Sequence, residues 1–152
     1  MKNSVVSLLA IALGASASSC ATSPPKIDYA VEGRDFSVSW REDVSRERFD
    51  VILTSTSKRR LCMSQPSWPN DAGRVFGGEN LAAIKGDNGA IASIETEFPY
   101  CIGPDCEIRI APGASINGYI DYGAFGEKAV VKGLKNRSLD FRPNPYFCLA
   151  KG

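Results

Sequence analysis

The stretch DFSVSW, residues 35–40, decides how most of the chain is expected to fold. Its apolar side chains, Phe36, Val38 and Trp40, alternate with polar ones. Successive side chains of a strand point to opposite faces of a sheet, so this alternation predicts a strand with one buried face. The neighbouring stretch RFDVILTSTS predicts a second strand over residues 49–55.

The remaining segments are short and are separated by turn-forming residues. Proline, glycine and asparagine mark a long loop at 66–78 and a tight turn, GDNG, at 86–89. A turn at 57–59 joins the second strand to a third, and these early strands together predict a hairpin. The further predicted strands cover residues 60–63, 81–85, 90–98, 106–110, 116–122, 128–134 and 138–141.

Many short strands between turns favour a β-sandwich or a barrel over a helical fold. The segment PGASINGYIDYGAF, followed by VVKGL and LDF, resembles the late strands of immunoglobulin-like sandwiches found in many secreted bacterial proteins. This resemblance implies an all-β fold, an immunoglobulin-like antiparallel β-sandwich of about eight short strands. It concerns architecture alone, because a fold does not determine a function.

The N-terminal residues, MKNSVVSLLAIALGASASSC, have the layout of a secretory signal peptide: a basic start, an apolar run and small residues. The apolar run is only about half of what a membrane-spanning helix needs. The stretch ASSC, which ends at Cys20, resembles a bacterial lipoprotein signal, in which the cysteine is lipidated and begins the mature protein. Ala17 stands where that family usually has leucine. The alternative is conventional cleavage after Ala17, which leaves Cys20 near the start of a secreted chain.

We predict a signal peptide over residues 1–19, a lipid-anchor cysteine with a flexible tether over 20–34, and the sandwich domain over 35–152. The lipoprotein resemblance implies an extracytoplasmic protein in the periplasm that is held to a membrane by its N-terminal lipid. Ala21, rather than aspartate, after the cysteine implies the outer membrane. A soluble secreted protein is the alternative.

Charge limits the classes of partner. Removing residues 1–19 removes Lys2 alone among the charged residues, which leaves as many basic as acidic side chains. A neutral domain lacks the basic surface that nucleic-acid binding needs, so no nucleic-acid partner is expected. We expect instead the membrane, through the lipid, and a protein or envelope partner of unknown identity.

The cysteines predict disulfides, because exposed thiols pair or oxidise outside the cytoplasm. If Cys20 carries lipid, four cysteines remain. Cys101 and Cys106 flank the turn IGPD, which can bring them together. Cys62 and Cys148 then form a long-range bridge, whose loop closure stabilises the fold by roughly 4–5 kcal/mol. The C-x4-C spacing without histidine fits neither a zinc knuckle nor a redox pair, so no metal or cofactor is predicted.

The chain contains no histidine, which excludes Ser-His-Asp and Cys-His nucleophiles. Glu95 and Glu97 lie two apart on a predicted strand and so share one face, where paired carboxylates can act as acid and base in glycoside cleavage. One-sided burial of a strand produces the same alternation and is the interpretation we adopt. No catalytic residue is therefore predicted, and a carboxylate-dependent glycosidase is the second alternative.

Two loops carry candidate partner-binding residues: Trp68 and Pro69 in CMSQPSWPND, and Ile102 and Pro104 in YCIGPDC. A rigid aromatic side chain on a loop is typical of an interface anchor. For Trp68 the alternative is burial as a lid over one open end of the sandwich, which gains more free energy than exposure.

The expected function is that of a lipid-anchored envelope protein with a non-catalytic binding or structural domain. The first alternative is a proteinaceous inhibitor of a secreted or periplasmic hydrolase, which inserts one of these loops into the enzyme. A short basic cluster, SKRR at 57–60, can contact anionic lipid headgroups beside the anchored face. Its other interpretation is a solvated turn that discourages edge-to-edge pairing of strands.

Overall fold

The structure, a computed structural model, describes residues 26–75, 81–87, 89–94 and 106–149. Within these ranges the predicted all-β antiparallel sandwich is confirmed. The strands are β1 (Phe36–Asp43), β2 (Arg48–Ser55), β3 (Leu61–Ser64), β4 (Ala82–Gly86), β5 (Gly89–Ala92), β6 (Glu107–Ile110), β7 (Ser115–Asp121), β8 (Ser138–Phe141) and β9 (Tyr146–Phe147). One α-helix, α1 (Lys128–Gly133), and two 3-10 turns, Gln65–Ser67 and Tyr122–Phe125, complete these ranges.

The described strands form three antiparallel sheets, with strand orders β1-β2-β7, β6-β3-β9 and β5-β4-β8. In the first sheet β2 is central, with Phe36 opposite Ser55 on one side and Arg48 opposite Asp121 on the other. β1 and β2 form an antiparallel hairpin. The prediction was wrong for β3, which pairs with β6 and β9 rather than with β2. The turn at 57–60 therefore carries the chain from one sheet to another.

The core lies between the sheets and reflects the alternation in the sequence. In β2, Phe49, Val51 and Leu53 are fully buried, whereas Ile52 is exposed. Burying side chains of this size stabilises the fold by about 1.5–3 kcal/mol each, so β2 holds the first sheet against the core. Three aromatic side chains have ring centroids 5.5–6.5 Å from that of Phe49: Trp40, Tyr122 and Phe125.

The segment KAVVKGL was predicted as a strand, and that prediction was wrong, because Lys128–Gly133 form the helix α1. The helix buries Val131 alone. Its spacing places Lys128 and Lys132 on one side, where both form ion pairs with Glu47. These tertiary contacts outweigh the β propensity of the two valines. In the described ranges no helix is both long enough and apolar enough to cross a membrane.

The two ends of the described chain lie side by side. The N–H of Ala30 donates to the carbonyl of Pro145, and the N–H of Phe147 donates to the carbonyl of Asp28, both at 2.9 Å. A disulfide between Cys62 and Cys148, 86 residues apart, ties the C-terminal segment to β3. The last part of the predicted tether is thus hydrogen-bonded to the domain.

Candidate functional site

The outer surface of the first sheet carries polar side chains around a shallow cavity of about 690 Å³. These side chains point away from the core because every second residue of a strand does so. We call this surface the polar face. Residues directly opposite one another on β1, β2 and β7 form a row across the sheet, which we call a rung. The polar face has three rungs: Ser39, Ile52 and Asn117; Arg41, Asp50 and Tyr119; and Asp43, Arg48 and Asp121.

Two arginines flank the Asp50 carboxylate in the middle of the polar face. Nε of Arg48 lies 2.8 Å from its Oδ1, and a terminal nitrogen of Arg41 lies 3.6 Å from its Oδ2. The Nε–H of Arg48 is not aimed at the carboxylate, so the contact is an ion pair rather than a hydrogen bond. The Arg48 guanidinium also lies 4.7 Å from the centre of the Tyr119 ring. Arg48 is therefore fixed, whereas Arg41, with 82% of its side chain exposed, is free to reach a ligand.

Trp68 supports the polar face from the inside of the sheet. A Cβ at Gly118 would lie 2.9 Å from the indole Nε1, so the ring packs directly on the backbone of β7. The Trp68 ring centroid is 5.7 Å from that of Phe141, and only 6% of the residue is exposed. Pro69 is also buried. Trp68 is thus buried, although it packs on the inner side of β7 rather than as a lid over an open end, and neither residue presents an exposed anchor to a partner.

The loop that follows the first 3-10 turn fixes the position of the Tyr119 side chain on the polar face. The Tyr119 hydroxyl donates to the carbonyl of Asp71. Gly73 has a φ of +68°, and a Cβ there would collide with the Tyr119 ring, so glycine is required on both counts. The side-chain oxygen of Asn70 accepts from the N–H of Arg74 at 2.9 Å and closes the loop. The ring is held in place before any ligand binds.

In the outermost rung, the carboxylates of Asp43 and Asp121 accept hydrogen bonds from the turns that follow their strands. The Ser45 hydroxyl, at 2.6 Å, and the N–H of Arg46, at 3.1 Å, donate to Asp43 and lower the pKa of its carboxyl. Asp121 accepts from a backbone N–H of the following 3-10 turn at 2.7 Å and from Lys128 at 3.0 Å. The other two rungs, those of Asp50 and Ile52, are consequently the part of the polar face that is open to a ligand, and we call them the open rungs.

A partly buried polar cluster lies inside this end of the sheet. Glu42 accepts from the Tyr122 hydroxyl and from Nε of Arg137, the latter at 2.7 Å. Arg137 also donates to the carbonyls of Lys132 and Leu134, at 3.0 and 2.8 Å, at the end of α1. Burial raises the pKa of Tyr122 to about 12, and the bond to Glu42 adds to the shift. No local pattern in the sequence indicates this cluster, because 80 and 95 residues separate Glu42 from its partners.

The structure places some of the predicted site residues and not others. The predicted bridge between Cys62 and Cys148 is present, and Cys106 is disulfide-bonded. In the part of the chain that the structure describes, no group of three or more acidic, cysteine or histidine residues is placed to hold a metal ion. The predicted residues that lie outside the described ranges are Cys20, Glu95, Glu97, Cys101, Ile102 and Pro104.

No protein-family model matches the chain, and no curated protein matches it.

Proposed function

We propose that this protein is an exported, lipid-anchored envelope protein whose sandwich domain binds a protein partner through the polar face. The anchor is supported by the sequence that ends in Cys20, which resembles a lipoprotein signal. The binding role is supported above all by one observation. The open rungs of the polar face surround a cavity with charged, amide and hydroxyl groups and expose Ile52 in its middle.

This arrangement has the composition of a protein-binding surface. Ile52 is 40% exposed and lies between Ser39 and Asn117 in the register, so a partner that covers it gains the free energy of burying an aliphatic side chain. The hydroxyl and the amide offer both donors and acceptors around that centre. An apolar centre with a polar rim is the usual anatomy of a protein interface, and arginine is enriched in the residues that dominate binding energy.

The carboxylates of the polar face support a binding rather than a catalytic role. A carboxylate that acts on a substrate must have oxygen atoms free to contact it. Asp50 is flanked by two guanidinium groups, while Asp43 and Asp121 hold turns. The glycosidase alternative depends on Glu95 and Glu97, which lie outside the described ranges. The inhibitor alternative depends either on the loop with Ile102 and Pro104, also outside them, or on the loop with Trp68, which is buried, so no observation in the structure favours either alternative.

Photo-crosslinking in living cells tests the binding role. A benzoylphenylalanine replaces Ile52 in the full chain, and a matched control carries it in place of Val130, an exposed aliphatic residue of α1 that is 55% exposed. We expect a discrete protein adduct from position 52 that is absent from position 130. Adding Arg41→Ala should weaken the adduct severalfold, because it removes an exposed cation from the edge of the cavity.

Two results would contradict this role of the polar face. One is the absence of any adduct from position 52 while the protein is present at normal levels. The other is an equal pattern of adducts from both positions, which would indicate collisions rather than a binding surface.

Mass spectrometry of the mature N-terminus tests the anchor independently. We expect a diacylglyceryl group on Cys20, with the chain beginning at that residue. A mature chain that begins at Ser18 with an unmodified Cys20 would replace the anchored protein with a soluble secreted one.

A further inference from the structure

The terminal segments and the turn at 57–60 meet at one end of the molecule. The guanidinium of Arg59 lies 3.7 Å from the centre of the Phe147 ring, and one of its nitrogens lies 3.0 Å from the Asp28 carboxylate. The N–H of Cys148 donates to the carbonyl of Arg60 at 3.2 Å. These contacts place the basic turn directly beside both terminal segments.

The same end exposes apolar side chains. Ile27, Tyr29 and Leu149 are 47%, 57% and 61% exposed. Together with Tyr146 and Phe147 they line a cavity of about 390 Å³. Apolar groups that are exposed together, rather than singly, mark a surface that contacts something else.

This end also carries an excess of positive charge. Lys26, Lys58 and Arg60 are exposed and have no ion-pair partner among the described residues. Glu107, which lines the cavity, is balanced by Arg109 at 3.2 Å. Basic side chains next to exposed aromatic and aliphatic ones are typical of surfaces that bind anionic membranes.

The length of chain between Cys20 and Lys26 keeps this end close to the position of the lipid. That stretch spans at most ~20 Å even when it is fully extended. The strand β2, with eight residues, is ~25 Å long, so the stretch is shorter than the sheet. Because β2 runs from the hairpin at Arg48 to the basic turn after Ser55, a stretch of this length holds the terminal end, rather than the hairpin end, close to the bilayer.

We propose that this basal surface, formed by Lys26, Ile27, Tyr29, Lys58, Arg60 and Leu149, lies against anionic lipid headgroups of the membrane that holds the protein. The inference rests on the proposed lipid anchor: the lipid attaches the chain, and the basal surface sets its orientation. The apolar side chains lie at headgroup level, where an aromatic ring with a polar tip is favoured. In this orientation the two open rungs of the polar face lie away from the bilayer.

Vesicle flotation tests the basal surface without the lipid. The protein is the chain from residue 20 onward with Cys20→Ser, which retains every contact of the described residues. We expect it to float with vesicles of phosphatidylcholine that contain about 30% phosphatidylglycerol, and not with phosphatidylcholine alone. Binding should fall when salt is raised, since charge supplies much of the attraction.

Matched variants locate the contact. Lys58→Glu should lower the partition coefficient about 25-fold, because it changes the charge at the surface by two units, each contributing about fivefold. Lys135→Glu makes the same change of charge before β8, at the end of that strand away from the terminal segments, and should have little effect. Leu149→Ser should weaken binding severalfold, whereas Val130→Ser on α1 should not.

Three results would overturn the inference: equal flotation with anionic and neutral vesicles, an equal loss from Lys58→Glu and Lys135→Glu, or no flotation with either kind of vesicle. The failure of the anchor is a separate result, because it appears in the mass of the mature N-terminus. An unmodified Cys20 together with charge-dependent flotation would contradict the lipid anchor but support membrane binding by the basal surface.

Discussion

The two ends of the sandwich are closed by different chemistry. At the terminal end, the disulfide between Cys62 and Cys148 ties β3 to the C-terminal segment. At the hairpin end of β2, a partly buried cluster of hydrogen bonds and an ion pair joins Glu42, Tyr122 and Arg137. The first closure is covalent, whereas the second depends on three polar side chains remaining together.

This difference explains why the two ends have different surfaces. A disulfide acts mainly by restricting the unfolded chain, so it tolerates exposed apolar and basic groups around it. A buried charge stabilises the fold only while its partner is present, so its surroundings must stay complete. The side chains of the basal surface can therefore be exposed at the terminal end without loss of stability, whereas the polar side chains at the hairpin end are needed to keep the domain folded.

Removing the covalent closure should have the largest effect. The double variant Cys62→Ala with Cys148→Ala is expected to lose roughly 4–5 kcal/mol of the free energy of unfolding, because the bridge closes a loop of 86 residues. That is a large fraction of the stability of a typical domain. Urea denaturation of the variant and the parent in the same oxidising buffer measures the loss. A loss below about 1 kcal/mol would show that the terminal end does not depend on the bridge.

Breaking the polar closure should have the next largest effect. Glu42→Gln leaves the partly buried guanidinium of Arg137, 15% exposed, without its counter-charge and should cost about 2 kcal/mol, between the values for an exposed and a fully buried pair. The control is Asp28→Asn at the terminal end, which breaks the exposed pair with Arg59 and should cost less than about 1 kcal/mol. Urea denaturation measures the free energy of unfolding of both variants. Equal losses would show that the Glu42–Arg137 pair contributes no more to stability than the exposed Asp28–Arg59 pair.

Each end contains a tyrosine that reports on its environment at high pH. Burial raises the pKa of both Tyr122 and Tyr146 to about 12, and hydrogen bonds to Glu42 and Glu107 add to the shifts. The folded protein therefore keeps both tyrosine hydroxyls protonated at pH values above 10, the ordinary pKa of the side chain. Their contribution to stability is complete below pH 10 and is lost as the pH rises to 12.

Phenylalanine variants separate the two contributions. Tyr122→Phe and Tyr146→Phe should each reduce the alkaline loss of stability by roughly 2 kcal/mol. The ion pairs of Lys128 with Asp121 and Glu47, which raise the pKa of that amine, weaken in the same range but are present in every variant. Urea denaturation between pH 9 and 12 measures the difference from the parent. Identical curves for parent and variant would contradict the raised pKa at that end.

Changes in the polar face should have the smallest effect on stability. Arg41→Ala and Ile52→Ser alter exposed side chains whose loss leaves no buried group unpaired, so each should change the free energy of unfolding by less than about 0.5 kcal/mol. Both should nevertheless weaken capture of the partner. A loss of stability above about 1.5 kcal/mol would indicate that the polar face belongs to the structural part of the molecule.

Features with a local cause could be predicted from the sequence. The alternation of Phe36 and Val38 predicted β1, since one-sided burial imposes a period of two on a strand. The pairing of Cys62 with Cys148 was predicted because a short turn accounts for the other two cysteines of the domain. The helix α1 could not be predicted, because its lysines meet a glutamate and its carbonyls meet an arginine from other parts of the chain.

By itself, then, the sequence determined the strand class, the long-range disulfide and the position of the N-terminal cysteine, because each depends on spacing along the chain. The tertiary structure alone decided that Trp68 is buried beneath the polar face and that Arg41 meets Asp50. It also decided that the basic turn lies beside both terminal segments. The physical reason is register and sheet crossing: strand pairing brings distant residues together, and no local pattern specifies which ones.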